Sequence, residues 1–183
     1  GLALCFRANI WNIGAEGQYI LGAIFAGGIA MGATPDSPRA IVIVILVAGI
    51  VGGMMWAAIT ALLRDRFNAN EILVSLMLVY VAEMVLSYLV YGPWKDPAGF
   101  NFPQTVTFAK PTQVPRLIEG LRVNIGIVIA LVAVAGMALF LFRLFRGFQA
   151  LVGGQAGAAA RYAGFSSRSA LWTALLASGG LAG

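Results

Sequence analysis

Two uncharged apolar runs, each long enough to cross a lipid bilayer, constrain this chain more than any other feature. They are Ala40–Leu63 and Val123–Phe142. A transmembrane helix needs about 20 consecutive apolar residues. Lipid offers no hydrogen-bond partner to the backbone, so a spanning segment must satisfy its N–H and C=O groups internally. The sequence therefore predicts that both runs are transmembrane helices.

Two further segments extend this pattern. Ile72–Tyr91 is also of spanning length and contains one charged residue, Glu83, whereas Gln18–Ala33 is a shorter apolar run. The last apolar stretch, Ser169–Gly183, is too short to cross a bilayer by itself. We therefore predict an all-α membrane protein, a polytopic bundle of transmembrane helices that spans residues 1–183 and is a fragment of a larger protein.

The composition supports a membrane location and excludes several other classes. Charged residues make up 10% of the chain and hydrophobic residues 60%, whereas a soluble domain has about 25% charged residues. Glycine is frequent, and the pairs Gly28/Gly32 and Gly49/Gly53 have the spacing at which membrane helices pack closely. With no histidine and one cysteine, the chain offers no histidine-based catalytic centre or metal site. We expect neither an enzyme nor a bound metal.

The charged connections predict how the chain is oriented. Arg64–Asn70 and the connection 143–168 are basic, and alternating spans would bring them to one face. The positive-inside rule makes that face cytoplasmic, so the proline-rich connection 92–122 is predicted to be extracytoplasmic. Because the basic residues lie between apolar runs, we expect contact with the lipid bilayer and no nucleic acid partner. The predicted location is the plasma membrane, as a multi-pass protein.

One short segment concentrates polar groups beside an apolar run. Asn9–Gln18 contains Asn12, Glu16 and Gln18. Such groups are costly in lipid unless they border a cavity, and transporters bind their solutes at interrupted helices near the middle of the membrane. An interfacial loop explains the same composition equally well from residue types alone.

Four segments in this order resemble the membrane permeases of bacterial ABC importers, in the nucleoside branch of the ribose and branched-chain amino acid permease family. Family members begin earlier and continue further, which agrees with a fragment. The segments are NIGAEGQ (12–18), RFNANEILVSLMLVYVA (66–82), GPWKDPAGFNFPQ (92–104) and AARYAGFSSR (159–168) followed by LLASGGLAG.

The resemblance implies a mechanism and a set of partners. Two permease subunits, identical or paralogous, form a pathway for a nucleoside or a related small polar solute. An extracytoplasmic solute-binding protein delivers the solute, and a separate cytoplasmic ABC ATPase uses ATP, so this chain binds no cofactor. Asn12, Glu16 and Gln18 are the expected pathway residues, with Trp11 or Tyr19 stacking on a base.

The resemblance also assigns two further groups of residues. The segment 158–164 matches the cytoplasmic loop that docks on the ATPase, and its expected coupling residues are Ala159, Arg161, Tyr162 and Gly164. A solvated basic loop is the simpler alternative. In the apolar segment Ile72–Tyr91, the family match extends to four residues that are expected to line the bundle: Ser75, Leu76, Met77 and Tyr80.

Glu83 lies outside the family pattern and supports a competing hypothesis. With Tyr80 and Ser87 it forms one polar stripe at helical spacing near the middle of a span, where a carboxylate is a functional candidate. Glu83 is therefore predicted to line the pathway, and a protonated carboxyl hydrogen-bonded to a neighbouring helix is the alternative. The alternative function is an ion-coupled secondary transporter with Glu83 as its proton relay.

Overall fold

The computed structural model describes residues 1–99, 102–115 and 124–183, and most of these residues are helical. The predicted all-α class is confirmed. Part of the predicted connection 92–122, the residues 100–101 of the third family segment, and the predicted start of a span at Val123 lie outside the described residues. The helices of the described ranges are α1 Leu2–Arg7, α2 Ala15–Met31, α3 Ile41–Phe67, α4 Glu71–Tyr91, α5 Gly126–Arg143, α6 Phe145–Gln155, α7 Gly157–Tyr162 and α8 Ser167–Ala182.

Three helices in the described part of the chain are long and apolar enough to cross a membrane. They are α3, α4 and α5, as predicted. α3 continues past the predicted end at Leu63 to Phe67 and stops where Asn68 takes a left-handed conformation. Asn70 caps α4: its side-chain oxygen accepts a hydrogen bond from the backbone N–H of Ile72 at 2.9 Å. This bond stabilises the helix start, because the helix itself leaves that donor unpaired.

α3 packs closely against α2 and α8, and glycines let the helix backbones approach. The hydrophobic core lies beside this crossing, between α1, α3, α6 and α8. The position of a Cβ at Gly179 of α8 is 2.5 Å from both the Cβ of Ala57 and the backbone oxygen of Gly53. The predicted packing role of Gly49 and Gly53 is confirmed. Gly28 contacts the ring of Trp94 in the connection after α4 instead of another helix, so the spacing of Gly28 and Gly32 does not mark a helix crossing.

The basic segment 143–168 is largely helical between the end of α5 and the start of α8. It contains two helices, α6 and α7, separated by Ala156. α6 turns back along α5, and Phe145 and Phe148 pack their rings around Phe165, with centroids 5.8 and 6.4 Å away. α6 is short and contains glycines, so the sequence did not indicate a helix there. Packing of its residue Ala150 in the hydrophobic core stabilises it.

Candidate functional site

The polar segment before α2 folds into a hydrogen-bonded cluster inside the bundle. The Asn12 side-chain amide donates to the Oε1 of Gln18 at 3.1 Å and to the Oγ of Ser178 at 3.0 Å. Its Oδ1 accepts from the Gln18 amide and from the backbone N–H of Gly14, each at 3.1 Å. Asn12 and Gln18 are 2% and 1% exposed, so this cluster joins the start of α2 to the last turns of α8.

The cluster lies several turns along α8 from the start of that helix. Ser178 is eleven residues beyond Ser167, where α8 begins, which corresponds to about 16 Å along the helix. Buried amides need partners, and Asn12 and Gln18 supply them for each other. Ser178 is a member that sequence reasoning missed, because it is 166 positions away from Asn12.

Glu16 lies on a different face of the same helix start. Its side chain is exposed, as is that of Tyr19 one turn later. Trp11 is also exposed, and its ring packs edge-on against Phe6 with centroids 5.6 Å apart. The three predicted pathway residues therefore separate into two buried amides that bond each other and one outward-facing carboxylate beside an aromatic ring.

The predicted residues of α4 also separate between two faces. Ser75 is buried beside Gly14 and donates to the backbone oxygen of Ile72 at 3.1 Å. Tyr80, Glu83 and Ser87 share an exposed face, as their spacing predicted. Leu76, Met77 and Tyr80 do not line the interior of this chain's bundle, because α4 packs through its other face and leaves these side chains exposed.

The basic end of the bundle contains two ion pairs that the sequence did not predict. Arg64 pairs with Glu71, at the start of α4. The adjacent Asp65 accepts from the Nε of Arg168 at 2.7 Å and from the indole N–H of Trp172 at 3.1 Å. The end of α3 therefore meets the starts of α4 and α8. The two basic connections lie at one end of the bundle, as predicted.

The predicted coupling residues lie on and after α7. Ala160 packs its side chain inward, whereas Ala159 and Arg161 are exposed and Tyr162 is 97% exposed. The chain then turns at Gly164, whose φ of 74° suits glycine. This short helix presents a cation and a phenol outward from the same end of the bundle as the ion pairs.

A family model matches residues 1–183 throughout, and its description is branched-chain amino acid transport system, permease component. The chain belongs to this permease family. The match includes the segments on which the resemblance was based, and it supports an importer permease over an ion-coupled carrier. Its described residues include three helices of spanning length, so the permease is an integral membrane protein.

Curated relatives have similar descriptions. The chain is 35% identical to a glucose ABC transporter permease protein of Haloferax volcanii over 91% of its own length and 46% of that protein's. It is 28% identical to a guanosine ABC transporter permease protein of Bacillus subtilis and 25% identical to a nucleoside ABC transporter permease protein of Lactococcus lactis. Those matches cover 100% and 99% of this chain and 52% of each relative. The chain thus spans about half the length of these relatives. No solved structure matches it.

Proposed function

We propose that this permease forms part of the translocation pathway of an ATP-driven importer for a nucleoside or a related small polar solute such as a sugar. Its partners are a second permease subunit, an extracytoplasmic solute-binding protein and a cytoplasmic ABC ATPase that hydrolyses the ATP. Family membership and the descriptions of the relatives support this proposal. The solute would be bound through hydroxyl groups, which sugars and nucleosides share.

The observation that carries the proposal is the outward-facing carboxylate of Glu16, in the first turn of α2. We place the start of α8 at the membrane boundary, which puts the neighbouring cluster of Asn12, Gln18 and Ser178 about 16 Å into the hydrocarbon. A carboxylate facing lipid at that depth would be costly. The exposed face of α2 that carries Glu16 therefore borders either water or a partner subunit. Glu16 can accept hydrogen bonds from solute hydroxyls, and Tyr19 on the same face can stack on a sugar or a base.

The remaining residues of the proposed pathway either hold the start of α2 in place or add polar groups on α4. Asn12 and Gln18 hold the start of α2 in place, and buried Ser75 lies beside Gly14 at the same helix start. Tyr80 and Glu83 offer a second exposed polar stripe on α4, which would border the pathway in the assembled transporter.

Docking of α7 on the ATPase is the second part of the proposal. Arg161 and Tyr162 project from a helix whose Ala160 is anchored against the bundle. No acidic residue occurs between positions 143 and 168, so this end of the bundle suits an acidic groove on the ATPase. In this assignment the segment 143–168 is cytoplasmic and 92–122 is extracytoplasmic.

Substitution of Glu16 in the full-length permease tests the pathway. We expect Glu16→Ala to lower the uptake of labelled guanosine or glucose by about 10-fold or more, because a site that binds hydroxyl groups depends on its acceptor. Asp36→Asn removes an exposed carboxylate from the turn between α2 and α3 and is the matched control. The amount of each variant in the membrane is measured by immunoblot. Uptake by Glu16→Ala that equals the control would exclude Glu16 from the pathway.

A further inference from the structure

Asp65, in the last turn of α3, holds together two helices that are distant in the sequence. Its carboxylate accepts from the guanidinium Nε of Arg168 at 2.7 Å and from the indole N–H of Trp172 at 3.1 Å. Both donors lie in the first two turns of α8. The Asp65 side chain is 11% exposed, and a carboxylate buried to this extent needs such partners.

Stability alone accounts poorly for this contact. The Arg168 side chain is 62% exposed, and ion pairs with an exposed partner contribute little to the free energy of unfolding. α3 and α8 are already packed at Gly53 and Gly179, more than two turns away from the pair. The Asp65 contacts therefore fix the ends of helices that are joined elsewhere.

Apolar packing joins α3 and α8 through Ala61 and Leu171, one turn away from Asp65, but it leaves one side of the Asp65 junction open. A cleft of about 340 Å³ opens beside the pair, and it is lined by Asp65, Arg168, Asn9 and Gly153 among other residues. Space of this kind would let the start of α8 shift relative to α3 if the carboxylate contacts were absent. The hydrogen bonds to Asp65 thus define the distance between the two helix ends.

The position of this junction relates it to α7. Only the residues 163–166 separate the end of α7 from the start of α8, so a force on α7 reaches Arg168 through a very short connection. α8 continues to Ser178, which binds Asn12 at the start of α2. The contacts therefore form a continuous series from the exposed α7 to the helix that bears Glu16.

We propose that Asp65 is a positioning residue that makes α3 and α8 move as one unit when α7 is displaced. This role rests on the proposed function, because the displacement would come from an ATPase docked on α7. Asp65 acts through Arg168 and Trp172 and does not contact the solute. Since Arg64, the preceding residue, pairs with Glu71, α4 is held to the same junction.

The test uses the full-length permease, assembled in proteoliposomes with its ATPase, its partner permease and its binding protein. Asp65→Asn keeps the shape and the acceptor for Trp172 but removes the charge. Arg168→Gln removes the ion pair from its exposed side, which leaves the core packing intact. Arg168→Lys restores the charge, and Asp36→Asn is the matched control. The quantity measured is the amount of guanosine or glucose imported per ATP hydrolysed, together with the melting temperature.

We expect Asp65→Asn and Arg168→Gln each to lower the import per ATP by about 3- to 10-fold, which is typical of changes in coupling between sites. The double variant should be no worse than either single variant, because both remove one interaction. Arg168→Lys should retain most of the wild-type ratio. The melting temperature of Arg168→Gln should fall only slightly, because the indole of Trp172 still donates to the Asp65 carboxylate.

Two results would overturn this role. An unchanged ratio in both single variants would show that the junction does not affect coupling. A fall in import that is matched by an equal fall in hydrolysis and in melting temperature would indicate a purely structural contact. A wild-type complex that imports neither solute would instead overturn the proposed function, and the positioning role with it.

Discussion

The packing of α8 against α3 allows one substitution to be predicted in magnitude. At Gly179 a Cβ atom would lie 2.5 Å from the Cβ of Ala57 and 2.5 Å from the backbone oxygen of Gly53. Carbon atoms in contact are most stable at about 3.5–4.0 Å, so the new methyl group is about 1 Å too close to each neighbour. Neither neighbour is the end of a flexible side chain, and the helices themselves must separate.

The cost follows from this overlap. Overpacking in a well-packed core destabilises by about 1–3 kcal/mol, and the helix propensity of alanine offsets this by up to about 1 kcal/mol relative to glycine. We therefore expect Gly179→Ala to destabilise the protein by about 1–2 kcal/mol. For a domain of this size, that loss corresponds to a melting temperature about 2–8 °C lower.

Thermal unfolding of the detergent-solubilised full-length protein provides the assay, with the fraction that remains monodisperse recorded after heating. Gly136→Ala in α5 is the matched control, because a Cβ there meets nothing within 4 Å. It places the same residue change in another helix of spanning length and should leave the melting temperature unchanged or higher. If Gly179→Ala and Gly136→Ala had the same melting temperature, the close approach of α3 and α8 would be refuted.

Two further predictions concern the buried cluster and the exposed coupling helix. Asn12→Ala should destabilise the protein by about 1–3 kcal/mol, because it leaves buried groups of Gln18 and Ser178 without partners; an unchanged melting temperature would mean that water replaces the amide. Tyr162→Ala should lower ATP hydrolysis in the assembled transporter without changing the melting temperature, because the side chain is almost fully exposed. Normal hydrolysis in that variant would exclude Tyr162 from the ATPase contact.

Several structural features could be predicted from short stretches of sequence. The uncharged run before Arg64 is long enough to require a helix, and the basic residues at its end indicate which ends of the bundle lie together. Asn70 before an apolar run predicts a helix cap, which the structure contains. These features depend on local length, polarity and side-chain chemistry, which neighbouring residues determine.

The candidate site was predictable only in part. The sequence indicated that the polar residues near Glu16 are unusual, yet Asn12 and Gln18 turn inward to each other and Glu16 turns outward. That division depends on which face of α2 packs against α4 and α8. The same uncertainty affected α4, where spacing identified one polar stripe but did not show that this stripe lies on the exposed side.

The sequence by itself determined that this chain forms membrane-spanning helices, because a long apolar segment in lipid has few alternatives to a helix. Only the tertiary structure decided which distant groups meet: Asp65 with Arg168, Asn12 with Ser178, and Gly53 with Gly179. Each pair is separated by more than 100 positions. Contacts of this kind depend on helix crossing and rotation, and these are set by the packing of all the helices together, which the local sequence pattern does not specify.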